Sequence, residues 1–250
     1  MNIAVIRNYV VEKEIMYALK QLGHNTKYIS LLSPINAFKN IELIISTPWS
    51  HYPISKVNEL RKKGVKIAYW SRATPSIEKE LPKFIDTADY VFTPYKSKYN
   101  YLPLCASSNP EWELRHNYKW DVCSIVMHNE GHKGINKLKE TYKNLKRKYI
   151  IVGPAWDRYP EFNSIYMKDY NQRYRYYWDS KISINILKSV DALPLRYFET
   201  CRCRCFPIFY ESELLNEIYP TELLVTFNDN TKVSKIYEKI DYYLDESNNK

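Results

Sequence analysis

The chain has 250 residues, 37 of them Lys or Arg against 28 Asp or Glu, so it carries a net charge of +9, and 45% of its residues are hydrophobic. That composition is globular and excludes collagen-like, disordered and disulfide-rich classes. No run of about 18 apolar residues occurs and charge arrives at Arg7, so neither a membrane span nor a secretory signal is expected, and the expected location is the cytoplasm. Tyrosine is abundant at 24 residues and glycine scarce at 5, a loading that AT-rich coding explains as well as function does. An isoelectric point near 9.1 favours an anionic partner, because lysine and arginine gain by releasing counterions from phosphates. Five cysteines, including Cys201, Cys203 and Cys205, are an odd number without a secreted framework and read as reduced thiols.

In chain order, buried β-branched runs at 2–6, 26–30, 41–46, 65–70 and 88–93 alternate with helical stretches near 10–22, 53–63 and 75–86. Parallel neighbours cannot be joined by tight turns, so this alternation predicts a doubly wound, Rossmann-like sheet. Gly23 and Gly64 stand where left-handed helix caps are needed, and Thr74–Pro75 form an N-cap and N1 pair. From Tyr101 to Trp120 the text has prolines, small polar residues and no period, which predicts a connection between a domain at 1–112 and another at 113–250. The second domain alternates again: strand 121–127, basic helix 135–148, strand 149–153 and a short segment from Met167. A helix running into a strand over 176–187 follows, then a helix from Pro194 at N1 to Arg202, strands 205–210 and 223–227, and a closing helix over 233–244. The expected architecture is α/β, two Rossmann-like halves facing a cleft, with ligands outside the carboxyl ends of the strands.

Neither a dinucleotide glycine fingerprint nor a P-loop occurs. The turn HNEGHKG over 128–134 lies between a buried strand and a basic helix. There Gly131 and Gly134 let backbone approach an anion, free N–H groups face it, and His132 and Lys133 add charge. An ordinary strand-to-helix connection explains the same turn. His128 and His132 have metal spacing but no paired cysteines beside them, so no metal is expected. Further on, Asp191 precedes Glu199, with Arg196 one helical turn before that glutamate. Arg196 and Glu199 are therefore expected on one face, the guanidinium for a phosphate and the carboxylate for ribose hydroxyls, a plain helical salt bridge being the simpler alternative.

The stretches YYWDSKISINIL and LPLRYFETCRCRCFPIFYESELL, with DYVFTPYKSKYNYLPLCAS, WDVCSIVM, GHKGINKL and YIIVGPAW upstream, resemble GT-B fold glycosyltransferases, especially the spore-maturation, CgeB-like type. The resemblance implies sugar transfer from a nucleotide-sugar, a UDP-sugar before others, held by the C-terminal half, with the acceptor on the N-terminal half and no further cofactor. It places Glu199 on the donor ribose, Asp191 on the sugar, and Arg196, Lys133 and Lys181 on the diphosphate. Two departures accompany it: Asp191 stands where that family more often has Glu, and CRCRC follows the helix in place of a small residue and Gly.

Acceptor contacts are expected from Trp49, Tyr69, Trp70, Arg72, Lys96 and Lys98, an aromatic and basic rim, with His51 as the base of an inverting reaction. Rim and net charge together suggest duplex DNA carrying a hydroxymethylated pyrimidine as acceptor, the base flipped from the stack, as in viral base glycosyltransferases acting in a host cytoplasm. Cell-surface, spore-coat or protein acceptors, a non-catalytic nucleotide- or DNA-binding module, and a glycoside hydrolase are the rival readings.

Overall fold

The computed structural model of the protein describes residues 1–6, 12–30, 32–46, 54–70, 87–93, 100–101, 117–169, 172–187 and 193–245. The chain divides into two compact units, Met1–Asn109 and Pro110–Lys250.

In the first unit the elements are β1 (Asn2–Ile6), α1 (Glu12–Gln21), β2 (Asn25–Ile29), β3 (Leu43–Ser46), α2 (Ile54–Lys62), β4 (Lys66–Trp70), β5 (Tyr90–Thr93) and β6 (Asn100–Tyr101). All pair in parallel, in the order β2-β1-β3-β4-β5-β6. The apolar runs are continuous because both faces of such a sheet are covered: Ile3, Ala4, Val5 and Ile6 are all buried. Gly64 follows α2 at φ 82°, donating its N–H to Arg61 at 2.9 Å while Val65 reaches back to Leu60 at 3.1 Å. That is a helix stop which a left-handed glycine makes without strain. The stretch 75–86, read as a helix, lies outside the described residues.

The second unit repeats the scheme with β7 (Trp120–Ile125), α3 (Ile135–Lys143), β8 (Tyr149–Val152), β9 (Ser164–Ile165), α4 (Tyr174–Trp178), β10 (Ser180–Asn185), α5 (Leu195–Arg202), β11 (Phe206–Tyr210), α6 (Glu213–Ile218), β12 (Thr226–Phe227) and α7 (Val233–Leu244). Its parallel order is β12-β11-β10-β7-β8-β9. Side chains alternate across the sheet with the strand period of two. Val122, Ile151 and Ile182 join Leu138 and Tyr142 of α3 and Ile236 and Ile240 of α7. Cys123 and Ile150 join Tyr177, Trp178, Cys203 and Cys205 on the other face. Cys201 packs with the first cluster, so the alternating thiols do part company, and burial pushes the Cys203 and Cys205 thiols well above their ordinary range.

Several boundaries differ from the sequence expectation. The helix expected over 135–148 ends at Lys143, because residues 144–148 form the connection that returns the chain to β8. Pro194 caps α5 from outside, in extended conformation, and Leu195 is the first helical residue. The strand expected over 223–227 is confined to β12, a 3-10 turn occupying Thr221–Leu223 after Pro220. The short elements β6, β9 and α6 were not foreseen, and no regular element starts at Met167.

One glycine supports the crossing of two loops. Gly153 follows β8 at φ 153°, and a Cβ there would lie 2.2 Å from the Val126 carbonyl oxygen. The same oxygen accepts the Trp156 indole N–H at 2.8 Å, so it cannot retreat. Gly153→Ala is expected to lower unfolding free energy by about 1–3 kcal/mol, read from denaturant midpoints. Gly131→Ala, whose Cβ would meet only Asn129 Oδ1 at 3.3 Å, should cost less.

Candidate functional site

In a parallel α/β sheet the crevice forms where the strand order reverses, outside the carboxyl ends of the strands. In the second unit that point lies between β7 and β10, which are neighbours in the sheet. The loop leaving β7 is fastened there on two sides. His128 donates its N–H to Pro154 at 3.1 Å, and Leu187, just beyond β10, donates to the Lys133 carbonyl at 3.3 Å. The His128 ring also packs on Tyr159 (4.4 Å between centroids) and edge-on to Trp156 (5.1 Å). Burial holds its imidazole below the ordinary value, with Glu130 acting in the opposite sense.

Within this loop Asn129 closes the turn: its Oδ1 accepts the Gly131 N–H at 2.9 Å and its carbonyl accepts the His132 N–H, also at 2.9 Å. The sequence reading expected free N–H groups of this turn to face an anion, and the turn itself uses these two. His132, expected to add charge there, is only 7% exposed but lines the cavity at this end of the unit. Anion-binding capacity passes to the next turn. Gly134 is the N-cap of α3 at φ 82°, Leu138 makes the first helical bond to its carbonyl at 2.8 Å, and the N–H groups of the intervening first turn have no carbonyl within the helix. Lys133 stands beside them, exposed and in no ion pair among the described residues.

An open cavity of about 350 Å³ occupies this end of the unit, with Gly131, Lys133, Lys137, Glu140 and Asp229 among its lining residues. Gly134 is required by what lies behind it, since a Cβ there would fall 2.4 Å from Cδ2 of Tyr210. The Tyr210 hydroxyl donates to Asp229 at 2.7 Å, and its pKa is pushed up to about 12 by burial and by that carboxylate. Neither Tyr210 nor Asp229 was singled out from the sequence: one ends an apolar strand, the other sits in an NDN cluster that signals only a turn.

The helix α5 separates the two residues expected to act together. Arg196 donates to the Ile186 carbonyl at the end of β10, at 2.7 Å through Nη2 and 3.3 Å through Nε. Glu199 turns away into the interior, 1% exposed, where Arg173, also 1% exposed, donates through Nε to both carboxylate oxygens at 2.8 and 2.9 Å and again through Nη2 to Oε1. The simple Arg196–Glu199 bridge is thus replaced by a pair between α5 and the residue preceding α4. Nothing in the sequence marks Arg173 within its aromatic and basic run. Lys181 is not gathered with the others, being the second residue of β10, while Lys133 and Leu187 meet beyond its last, about 20 Å along the chain.

In the first unit Tyr69 is buried at 3%, so its ring is a core group and not a rim, whereas Trp70, half-buried, ends β4 at the carboxyl edge of the sheet. Trp49, His51, Arg72, Lys96, Lys98 and Asp191 lie outside the described residues. Among the described residues no three His, Cys, Asp or Glu side chains gather as a metal site, and no helix is long and apolar enough to cross a membrane.

Removing Glu199 alone strands a buried guanidinium, so Glu199→Leu is expected to cost about 3–5 kcal/mol of stability, while Arg173→Met with Glu199→Leu recovers most of it. Chemical denaturation of the two variants checks this.

Residues 134–250 match a family described as glycosyl transferase-like. No curated protein matches the sequence. Among solved structures, the lipopolysaccharide outer core galactosyltransferase WaaB aligns over 99% of this chain and 91% of its own at 13% identity, with a TM-score of 0.54. An α1,3-fucosyltransferase with GDP aligns over 99% and 79% at 13% identity and a TM-score of 0.51. The UDP-GlcNAc 2-epimerase of Methanocaldococcus jannaschii aligns over 100% and 93% at 10% identity, also with a TM-score of 0.51. The chain therefore has the two-unit GT-B fold, and its residues 134–250 are similar to the glycosyl transferase-like family.

Proposed function

We propose that the protein transfers a sugar from a nucleotide-sugar to a hydroxyl acceptor, with the donor diphosphate seated on the first turn of α3 beside Lys133. One observation carries the reading: an exposed lysine, in no ion pair among the described residues, adjoins a helix N-terminus at the strand-order reversal of the unit that contains the transferase-like match. The fold by itself serves an epimerase as well, so the family match separates the two. In the reaction the bond from the anomeric carbon to the diphosphate oxygen breaks and a bond to the acceptor oxygen forms. The departing nucleoside diphosphate gains negative charge, which Lys133 and the helix dipole would stabilise, with the donors of Arg196 not used on Ile186 as a further candidate. Asp191 would meet the transferred sugar, and His51 would take the acceptor proton.

For the donor base, UDP is the first choice, the solved neighbours including a UDP-GlcNAc 2-epimerase, with GDP next, as in the α1,3-fucosyltransferase with GDP. For the acceptor, the proposal is a hydroxymethylated pyrimidine in DNA, supported by the net charge of +9 and by Trp70 at the carboxyl edge of the first sheet, with Trp49, Arg72, Lys96 and Lys98 as the further candidates that the sequence offers.

Thermal denaturation with UDP, GDP, CDP and ADP tests the donor half. One nucleotide should raise the melting temperature, and Lys133→Ala should weaken its binding about 10–100-fold, the loss of one charge-assisted contact. No response to any of the four would leave a non-catalytic module as the better reading. Release of that diphosphate from its sugar conjugate on hydroxymethylated DNA, against unmodified DNA and polysaccharide, decides the acceptor.

A further inference from the structure

We propose that Asp229 is the carboxylate that receives the donor's hydroxyl hydrogens next to the diphosphate, a part the sequence had pointed to in Glu199. The inference rests on the reading of this cavity as the donor site.

A diphosphate ester brings at least two negative charges, yet three carboxylates line the cavity: Glu130, Glu140 and Asp229. Such a wall repels the ligand unless each acid is neutralised or accepts an O–H. Two of them are neutralised. Glu140 pairs with Lys137 at 2.8 Å, and Glu130 lies 3.6 Å from Lys139. Asp229 has no cation among the described residues. Its Oδ2 accepts from Tyr210, and as an ionised carboxylate it keeps lone pairs for a further donor.

The loop that carries Asp229 is braced before any ligand arrives. Asn228 donates its N–H to Thr231 Oγ1 at 2.9 Å, Asn230 donates to Asn228 Oδ1 at 3.0 Å, and the Asn228 amide reaches Glu211 at 2.6 Å. The Tyr210 ring that orients Asp229 is also the group that forbids a side chain at Gly134, so carboxylate and helix N-terminus are held in one register. Glu199 has neither property: its oxygens are closed off by Arg173 in the interior.

Hydroxyl groups flank the diphosphate of a nucleotide-sugar on both sides, on the ribose and on the sugar, and an accepting carboxylate suits either. The two sources separate by ligand. Dissociation constants for UDP, 2′-deoxy-UDP, UDP-glucose and pyrophosphate are measured by calorimetry on the full chain and on Asp229→Asn, with GDP, CDP or ADP and their counterparts substituted should one of those be the nucleotide that stabilises the protein. If the ribose is the source, the variant weakens UDP and UDP-glucose about tenfold; 2′-deoxy-UDP, which keeps the 3′-hydroxyl, is unchanged where the 2′-hydroxyl is the one received and weakened alike where the 3′-hydroxyl is. If the sugar is the source, UDP-glucose alone weakens. In both cases pyrophosphate binds the variant as well or better, because a negative charge has gone. Tyr210→Phe, which keeps ring and carboxylate but frees the latter, should show the same ligand pattern at reduced size, and it carries the test if Asp229→Asn does not fold. Unchanged binding of both UDP and UDP-glucose in a folded Asp229→Asn variant overturns the inference while the donor site stands. A wild-type chain that binds no nucleoside diphosphate overturns the donor site itself.

Discussion

The second unit depends on a parallel sheet covered on both faces. Each strand must be followed by a crossover, and the side of the sheet to which the chain returns decides where a crevice opens. Here β7 and β10 lie side by side while their following segments part, one into the 126–134 loop and α3, the other toward α5. Everything with chemical potential in this unit is a consequence of that separation. Lys133 meets Leu187 across it, Arg196 reaches the last carbonyls of β10, and Tyr210 at the end of β11 closes over Gly134.

Polar groups at this end are rarely left to solvent alone. Asn129 consumes the N–H groups of the glycine-bearing turn, Arg196 is tied to Ile186, and Tyr197, buried beneath, donates its hydroxyl to the Tyr210 carbonyl at 3.0 Å, with burial raising its pKa far above the phenol range. Such satisfaction is what a buried backbone requires. Its effect on function is to reduce a polar segment to a few available groups: one lysine, one helix turn and one carboxylate held by a tyrosine.

The Arg173–Glu199 pair is the exception to economy. Desolvating both partners costs several kcal/mol, and an apolar pair of similar volume would serve stability as well. What the ion pair adds is direction: its paired contacts set where α5 lies relative to the residue preceding α4, and Arg196 rides on α5.

Strand and helix placement was legible because it follows local rules. Residues 2–6 and 233–244 read as they fold, since continuous apolar runs and a 3.6-residue period each admit one backbone state, and Gly23 and Gly64 punctuate helices by a conformation open chiefly to glycine. The two-sheet architecture followed from alternation alone. Short elements such as β6, β9 and α6 escaped, because two to six residues are too few to show a period. The site was legible only as a neighbourhood. Spacing placed Arg196 and Glu199 on one helical face, but a side chain goes to the partner that tertiary packing supplies, and Arg173 and Ile186 come from segments distant along the chain. The loops at the strand ends likewise offered Tyr69 as a rim group, and the family resemblance offered Lys181 as a phosphate ligand. The alternation of β4 put one in the core, and the direction of β10 put the other at the far end of its strand. Local sequence thus determined the elements and the end of the sheet at which to search. Which groups face the cavity was decided by tertiary structure, because it alone determines which buried charges find partners and which carboxylate can still accept a hydrogen bond.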